Sequence, residues 1–440
     1  MSAFHRRALA GFTSLSCLSV LALLVSAGPL NPPAGPVAPT AKALSEVEPR
    51  MAVNATNTPG DADSTFRITQ PGSYYLTGNI TAASGFGGIE IDASNVTLDL
   101  MGHRVLGSLG SLNGIFVNGT ETNLTIRNGS VRSFGGDGLS ASVGDNVRVV
   151  DLTARNCGGR GVALGQGCTA TNVIADSNSG NGIAMQGGGT VTACVARENG
   201  GNGFAIDFST SVTNCTATGN TGDGFNIGAG CLVTSCMASD NGDDGFATLN
   251  SGTFTSCQAF SNAGDGFDSQ GGGCVITSCT TKDNNGNGIR AGTNAAVSHC
   301  AASLNTMSGI LVSNGSLVTS CSSSSNTADG IRVSSDCVVL ANVCNINGFN
   351  GTGAGVHATG SNNRIEGNNC SGADTGIDID GAGNIITKNT CSGNTTNWNI
   401  AANNFYGPIA FIAPFGSPAV NGDGAAAALG NTDPHTNFTY

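Results

Sequence analysis

Side chains that titrate are scarce in this chain: Asp, Glu, Lys and Arg together make up 10% of 440 residues. Five of these or of the few histidines, Asp268, Arg290, Arg332, His357 and Asp378, nevertheless stand two places after a glycine that recurs through the sequence. Asp380 follows at the fourth place after the last of those glycines. An imidazole oriented by a carboxylate is the combination that takes a proton near neutral pH, and a guanidinium beside it clamps a carboxylate group. The expected catalytic set is therefore His357 as base, Asp378 as its orienting partner with Asp380 beside it, and Arg332 as the clamp. Asp268 and Arg290 extend the same face as binding residues. A purely structural alternative pairs Asp268 with Arg290 and Arg332 with Asp378 between neighbouring repeats and leaves His357 a bystander. Other chemistry has no signal: there is no serine nucleophile elbow, phosphate-binding loop or zinc-ligand spacing. The lone Trp398 and the four Tyr form no stacking platform.

The face exists only if the repeat folds regularly. Gly followed by an apolar residue recurs at Gly161, Gly182, Gly203, Gly224, Gly245, Gly266, Gly288, Gly309 and Gly330, in steps of 21 with a single 22. Looser copies at Gly88, Gly114, Gly138, Gly355 and Gly376 bring the count to fourteen. Asn stands four places before the glycine in eight consecutive units, Asn178 to Asn326, and Cys nine before it in seven, Cys194 to Cys321. Phe204, Phe225, Phe246 and Phe267, then Ile289, Ile310 and Ile331, follow the glycine directly. A period of 21 has no room for a helix pair and suits three short strands and three turns. One such coil cannot bury its own apolar face, so neighbours must stack. Positions +1 and +3 from the glycine then face inward, and +2 and +4 outward. Coils lie about 4.8 Å apart, so the candidate residues form one outward row, preceded by Ala163, Ala184, Ala205 and Ala247. Thr248 and Ser269 break the apolar +3 column. The Cys column is expected to be a mostly reduced, inward stack. The Asn column is expected at a left-handed bend, where Asn is tolerated, with its amides bonding from coil to coil.

These columns resemble the right-handed parallel β-helix repeat proteins of the pectin-lyase-like superfamily, over about residues 65–400. The resemblance implies an all-β, single-stranded right-handed parallel β-helix, a solenoid of about fourteen coils, opened by the segment Phe66–Ile80. It also implies a substrate groove beside one of the three sheets, here the strand after each repeat glycine. The function expected from it is binding or processing of extracellular polysaccharide, by a lyase, hydrolase or epimerase if the protein is an enzyme. The alternative is a non-catalytic structural or adhesive cell-surface solenoid. Within this family reading, Arg332 would hold a uronate carboxylate. Calcium-dependent lyases of the superfamily use several Asp and Glu with a basic residue, which only Asp378 and Asp380 approach. Its hydrolases pair Asp residues, of which Ile377–Asp380 is a thin echo. Neither motif is complete, and no cofactor is expected. Asp223, Asp244 and Asp265, each just before a repeat glycine, read as turn residues. Calcium binding there is the weaker reading, and the period of 21 does not fit a calcium-binding nonapeptide roll.

Compartment and partners follow from the ends and the charge. The basic His5–Arg7, the apolar run Ala8–Val25 and the small residues Val25, Ser26 and Ala27 predict a signal peptide over 1–27 and export to the cell envelope or beyond. Residues 28–64, rich in Pro, Ala and Thr, read as a linker, 65–403 as the β-helix with its amino-terminal cap, and 404–440 as a carboxy-terminal cap or tail. No other apolar run is long enough to span a membrane. Loss of 1–27 removes two of 17 basic residues and none of 29 acidic ones, so 15 against 29 leaves a net charge of −14. Such a surface repels nucleic acid; the partner that the family resemblance implies is extracellular polysaccharide or a cell-surface component. Fifteen of the 16 Cys remain, an odd number that rules out complete pairing.

Overall fold

In each period the chain runs through three short strands, as in Phe204–Phe208, Ser211–Thr213 and Thr216–Thr218. Each strand pairs in parallel with its equivalent one coil on, without slippage: Phe204 opposite Phe225, Val212 opposite Val233, Ala217 opposite Ala238. The computed structural model describes residues 48–349, 352–411 and 433–440, so the expected signal peptide lies outside the described residues. The strands after the repeat glycines form a 16-stranded parallel sheet, and the other two faces join into one of 32 strands. Fourteen of the sixteen strands follow the repeat glycines. Ser64–Ile68 and Thr396–Ile400 add one coil at each end. The described residues contain no helix, and so none long and apolar enough to cross a membrane.

Three left-handed bends per coil turn the chain. The first follows the repeat-glycine strand, as at Ser209 (φ 53°) and Asn294 (56°); the second falls just before the Cys column, at Ala193 (54°), Asn214 (55°) and Ser235 (54°), and the third just before the Asn column, at Ser177 (55°), Glu198 (54°) and Asp240 (56°). The ladder Asn is therefore not the left-handed residue, contrary to the sequence expectation. Its predecessor takes the strain at the surface, and the turn aims the Asn side chain inward. A left-handed non-glycine residue costs roughly 1 kcal/mol, and the hydrogen bonds of the Asn column offset it. Asn199 donates from Nδ2 to Asn220 Oδ1 (2.9 Å) and to Ala175 O (3.1 Å), while its backbone N–H donates to the same Oδ1 (3.2 Å). The column continues in this way down to Asn347, with each amide no more than 2% exposed.

The cysteines occupy the next corner in the same manner. The backbone N–H groups of Cys194 and Cys215 donate to Cys215 Sγ (3.5 Å) and Cys236 Sγ (3.4 Å), and the Cys215 thiol donates to Thr213 O (3.3 Å). Where the Cys column ends, Asn takes over: Cys321 N–H donates to Asn342 Oδ1 (2.8 Å), and Asn342 leads on to Asn368, Asn389 and Asn437. All fifteen described cysteines are buried and free. Burial pushes the thiols of Cys157, Cys168, Cys231, Cys274 and Cys337 above their ordinary pKa.

The core stacks as its columns predict. Rings of Phe204, Phe225, Phe246 and Phe267 lie nearly parallel at centroid spacings of 4.6, 4.8 and 4.7 Å. Phe254 reaches in from the neighbouring strand to meet Phe246 and Phe267 edge-on. This accounts for Thr248 and Ser269: those two coils need small +3 side chains to admit the extra ring. The repeat glycine is needed for room. A Cβ on Gly203 would lie 2.7 Å from Gly224 O and 2.7 Å from Asn220 Nδ2 of the next coil.

Both ends are covered. Met51–Ala52 pairs with the strand Gly72–Tyr75, and Val53 is buried, so the cap begins inside the stretch read as linker. The physical reason is the open edge of the first coil, which needs a hydrogen-bonding partner. At the far end Phe405–Tyr406 and Asn437–Thr439 continue the long sheet, and Asn389 N–H donates to Asn437 Oδ1 (3.0 Å).

Two outcomes test this packing. Asn241→Ala would strip the partners from Asn220, Ala217 O and Asn262, and should cost at least about 3 kcal/mol in a urea melt. Asn241→Cys, which keeps an acceptor, should cost less than Asn241→Val; equal losses would mean that volume alone matters. Thiol labelling of the native protein should be slow, and denaturation without reductant should expose fifteen reactive thiols in the chain from residue 28 onward; paired thiols would contradict the free ladder.

Candidate functional site

The outward row forms as the repeat requires. Asp268 pairs across strands with Arg290, Arg290 with Leu311, Leu311 with Arg332, Arg332 with His357, and His357 with Asp378. Toward the amino terminus the row runs back through Ala163 to Ser140, Phe116, Glu90 and Arg67. It is polar at both ends and mostly alanine between.

His357 is held on two sides. Its Nδ1 lies 3.1 Å from Asp329 Oδ2 and its Nε2 lies 3.0 Å from Asp380 Oδ2, with Asp378 Oδ2 at 3.8 Å. Burial favours the neutral imidazole, but the hydrogen bond and charge of Asp329, the hydrogen bond of Asp380 and the charge of Asp378 outweigh it and raise the pKa to about 9. At neutral pH His357 is thus an imidazolium that donates from both nitrogens. A proton-accepting His357 oriented by Asp378 does not describe this geometry, in which Asp329 is the orienting carboxylate and the ring already carries the proton. Asp378 accepts instead from Asn399 Nδ2 (2.7 Å).

Sequence reasoning passed over Asp329, although a signal was present. It stands one place before Gly330, in the column of Asp223, Asp244 and Asp265. That column is a further ladder: Asp244 N–H donates to Asp223 Oδ1 (3.2 Å), Asp265 N–H to Asp244 Oδ1 (2.6 Å) and Ala354 N–H to Asp329 Oδ1 (2.8 Å). One carboxylate oxygen carries the turn, and the other remains for a neighbour, which at Asp329 is His357. Burial, together with the charges of Asp268, Asp265 and Asp243, holds Asp244 up to about 7.

Arg332 is exposed and makes no hydrogen bond or ion pair among the described residues. The expected Arg332–Asp378 bridge does not form, because His357 occupies the coil between them. Asp268 and Arg290 meet only at 3.9 Å (Oδ1 to Nε), and Asp268 Oδ2 accepts from Gln270 Nε2 (2.8 Å). Ligand atoms of His357, Asp378 and Asp380 lie within 4.8 Å of one another, a spacing that suits a divalent cation. A protonated ring cannot ligate, however, so that use belongs to pH values above its titration. Below them the site offers one free guanidinium, one imidazolium and the two outer carboxylates of Asp378 and Asp380.

A right-handed parallel β-solenoid with a polar row on one sheet defines the class. The sequence matches the model of the right handed beta helix region over residues 67–231, 113–269 and 190–319, together more than half of the chain. The chain belongs to this right-handed β-helix family. No curated protein matches it. Among solved structures it is similar to the A-module of an Azotobacter vinelandii mannuronan C-5 epimerase (17% identity, 77% of this chain and 91% of that one, TM-score 0.40). It is also similar to the periplasmic alginate epimerase AlgG (12%, 66% and 74%, TM-score 0.40) and to the Dettilon tailspike protein (13%, 78% and 58%, TM-score 0.28). These are likenesses of fold.

The raised pKa makes stability depend on pH. A group whose folded pKa exceeds its ordinary 6.5 stabilises fully below 6.5 and loses that contribution as the pH climbs through about 9. The loss is on the order of 3 kcal/mol. The His357 ring should titrate near 9 by NMR, and Asp329→Asn should lower that midpoint by at least about one unit; a midpoint near 6.5 in the unaltered protein would refute the cage.

Proposed function

We propose that this protein is exported and binds polysaccharide along the outward row of the 16-stranded sheet, with Arg332, His357, Asp378 and Asp380 as its working end. The observation that carries the reading is Arg332, an exposed guanidinium with no partner among the described residues, one strand away from the imidazolium of His357. A guanidinium so placed takes a carboxylate, and a uronate unit in a linear chain supplies one. Asp378 and Asp380 accept hydroxyls of the same or the next unit. Asp268 and Arg290 lie further along the path and contribute less. In a lyase, hydrolase or epimerase reaction His357 would serve as proton donor, and proton removal would fall to Asp380, whose side chain is 56% exposed. A second reading, adhesion without turnover, is favoured by one feature: both ring nitrogens of His357 are already engaged by carboxylates. The basic and apolar segments before residue 28 support export.

An array of acidic and neutral polysaccharides, scored for retention and for turnover, separates these readings. Arg332→Ala should weaken retention of uronate polymers about 10-fold or more and leave neutral ones unchanged. If products form, His357→Ala should abolish them; retention without products supports the adhesive reading. Unaltered retention and turnover in all the Arg332, His357 and Asp380 alanine variants would remove the row from consideration.

A further inference from the structure

The other end of the row holds a cavity that is independent of the Arg332 end. The repeat is longest here: Gly88, Gly114, Gly138 and Gly161 are 26, 24 and 23 residues apart instead of 21. The extra residues between Gly88 and Gly114 include the loop Gly107–Asn113, which walls a cavity of about 570 Å³ together with Asp63, Glu90 and Phe116. A volume of this order accommodates a small organic ligand.

Two features of the wall point to one ligand chemistry. Phe116 neighbours Glu90 in the row and is 36% exposed, and with the exposed Leu112 it offers an apolar surface to the C–H face of a pyranose ring. Ser111 also lines the cavity, but its Oγ turns into the loop against Gly107, out of reach of a ligand. The carboxylate atoms of Asp61, Asp63 and Glu90 lie within 4.8 Å of one another. The cation beside them, Arg67, is committed to Asp61 (3.2 Å), Glu90 (3.4 Å) and Asp92. No free positive charge therefore lines the cavity, and a carboxylated sugar meets repulsion where an ammonium group or hydroxyls meet acceptors. Burial raises the Glu90 pKa against the opposing charge of Arg67.

We propose that this cavity binds a hexosamine unit, with Phe116 under the ring and Asp63 and Glu90 facing the amine. The two ends of the row would then select opposite charges, a cationic sugar at the amino-terminal end and an anionic one at Arg332.

The test is an NMR titration of the full chain with D-glucosamine, D-glucose and D-glucuronate at neutral pH. Glucosamine should bind more tightly than glucose, and glucuronate should not bind within the cavity, as read from the shifts of Phe116. Phe116→Ala should weaken glucosamine on the order of 10-fold, and Leu112→Ala, which alters only the exposed loop, should weaken it less. Circular dichroism of both variants should match that of the parent chain. No glucosamine binding, equal or tighter binding of glucuronate at Phe116, or full affinity in both variants would overturn the site. Retention of uronate polymers at Arg332 is measured separately, so a negative result here leaves that reading standing.

Discussion

A buried backbone N–H at every corner of the coil must find an acceptor, and the whole solenoid is arranged around that requirement. At the ladder positions the acceptor is a side chain from a neighbouring coil: Asn220 Oδ1 for Asn199, Cys215 Sγ for Cys194 and Ser316 Oγ for Ala295 in the coil that follows, and Asp244 Oδ1 for Asp265 in the coil before. Residues of quite different character are interchangeable in this role because each places one acceptor atom one bond beyond Cβ or two. The exchange of Cys for Asn at Asn342 shows the thiol and the amide serving the same corner. Such pairing also locks the register, since a slip of one residue would orphan every corner at once.

Register is what brings the candidate residues together. Arg332, His357 and Asp378 are 25 and 21 residues apart, yet they stand in adjacent strands because the corner ladders before and after them stay in phase. The register is the same before and after the longer step from Gly330 to Gly355. Proximity then determines chemistry: three carboxylates converge on one ring and keep its proton. The outcome is a hydrogen-bonded cation, with the uncommitted charge displaced to Arg332.

What was legible in the sequence is what repeats. Gly, Phe and Asn columns with a fixed period specify coil, core and outward row, and the phase alone places Arg332, His357 and Asp378 on one face. Features set between columns were hidden. Asp329 belongs to a turn column and reaches the outward column of the next coil, a contact between columns that a period does not display. The strand Met51–Ala52 has no repeat phase, since it pairs an edge and does not form a coil of its own. The left-handed residue was misplaced by one because Asn tolerates that conformation, whereas here exposed residues such as Glu198 and Leu304 adopt it to turn a buried Asn inward. The amino-terminal cavity was invisible for the opposite reason: it arises where the period lengthens and the columns blur.

The alanine stretch from Ala163 to Ala247 has a consequence of its own. Because every coil in it pairs with its neighbours in the same register, a whole coil is an interchangeable unit: gain or loss of 21 residues there would leave all corner bonds and the core stack with equivalent partners. Such a change would move Glu90 and Phe116 relative to Arg332 and His357 by about 4.8 Å along the axis. The separation of the two polar ends is therefore inherited as an integer number of coils. Gene duplication within the bland stretch would adjust it stepwise without disturbing the chemistry at either end.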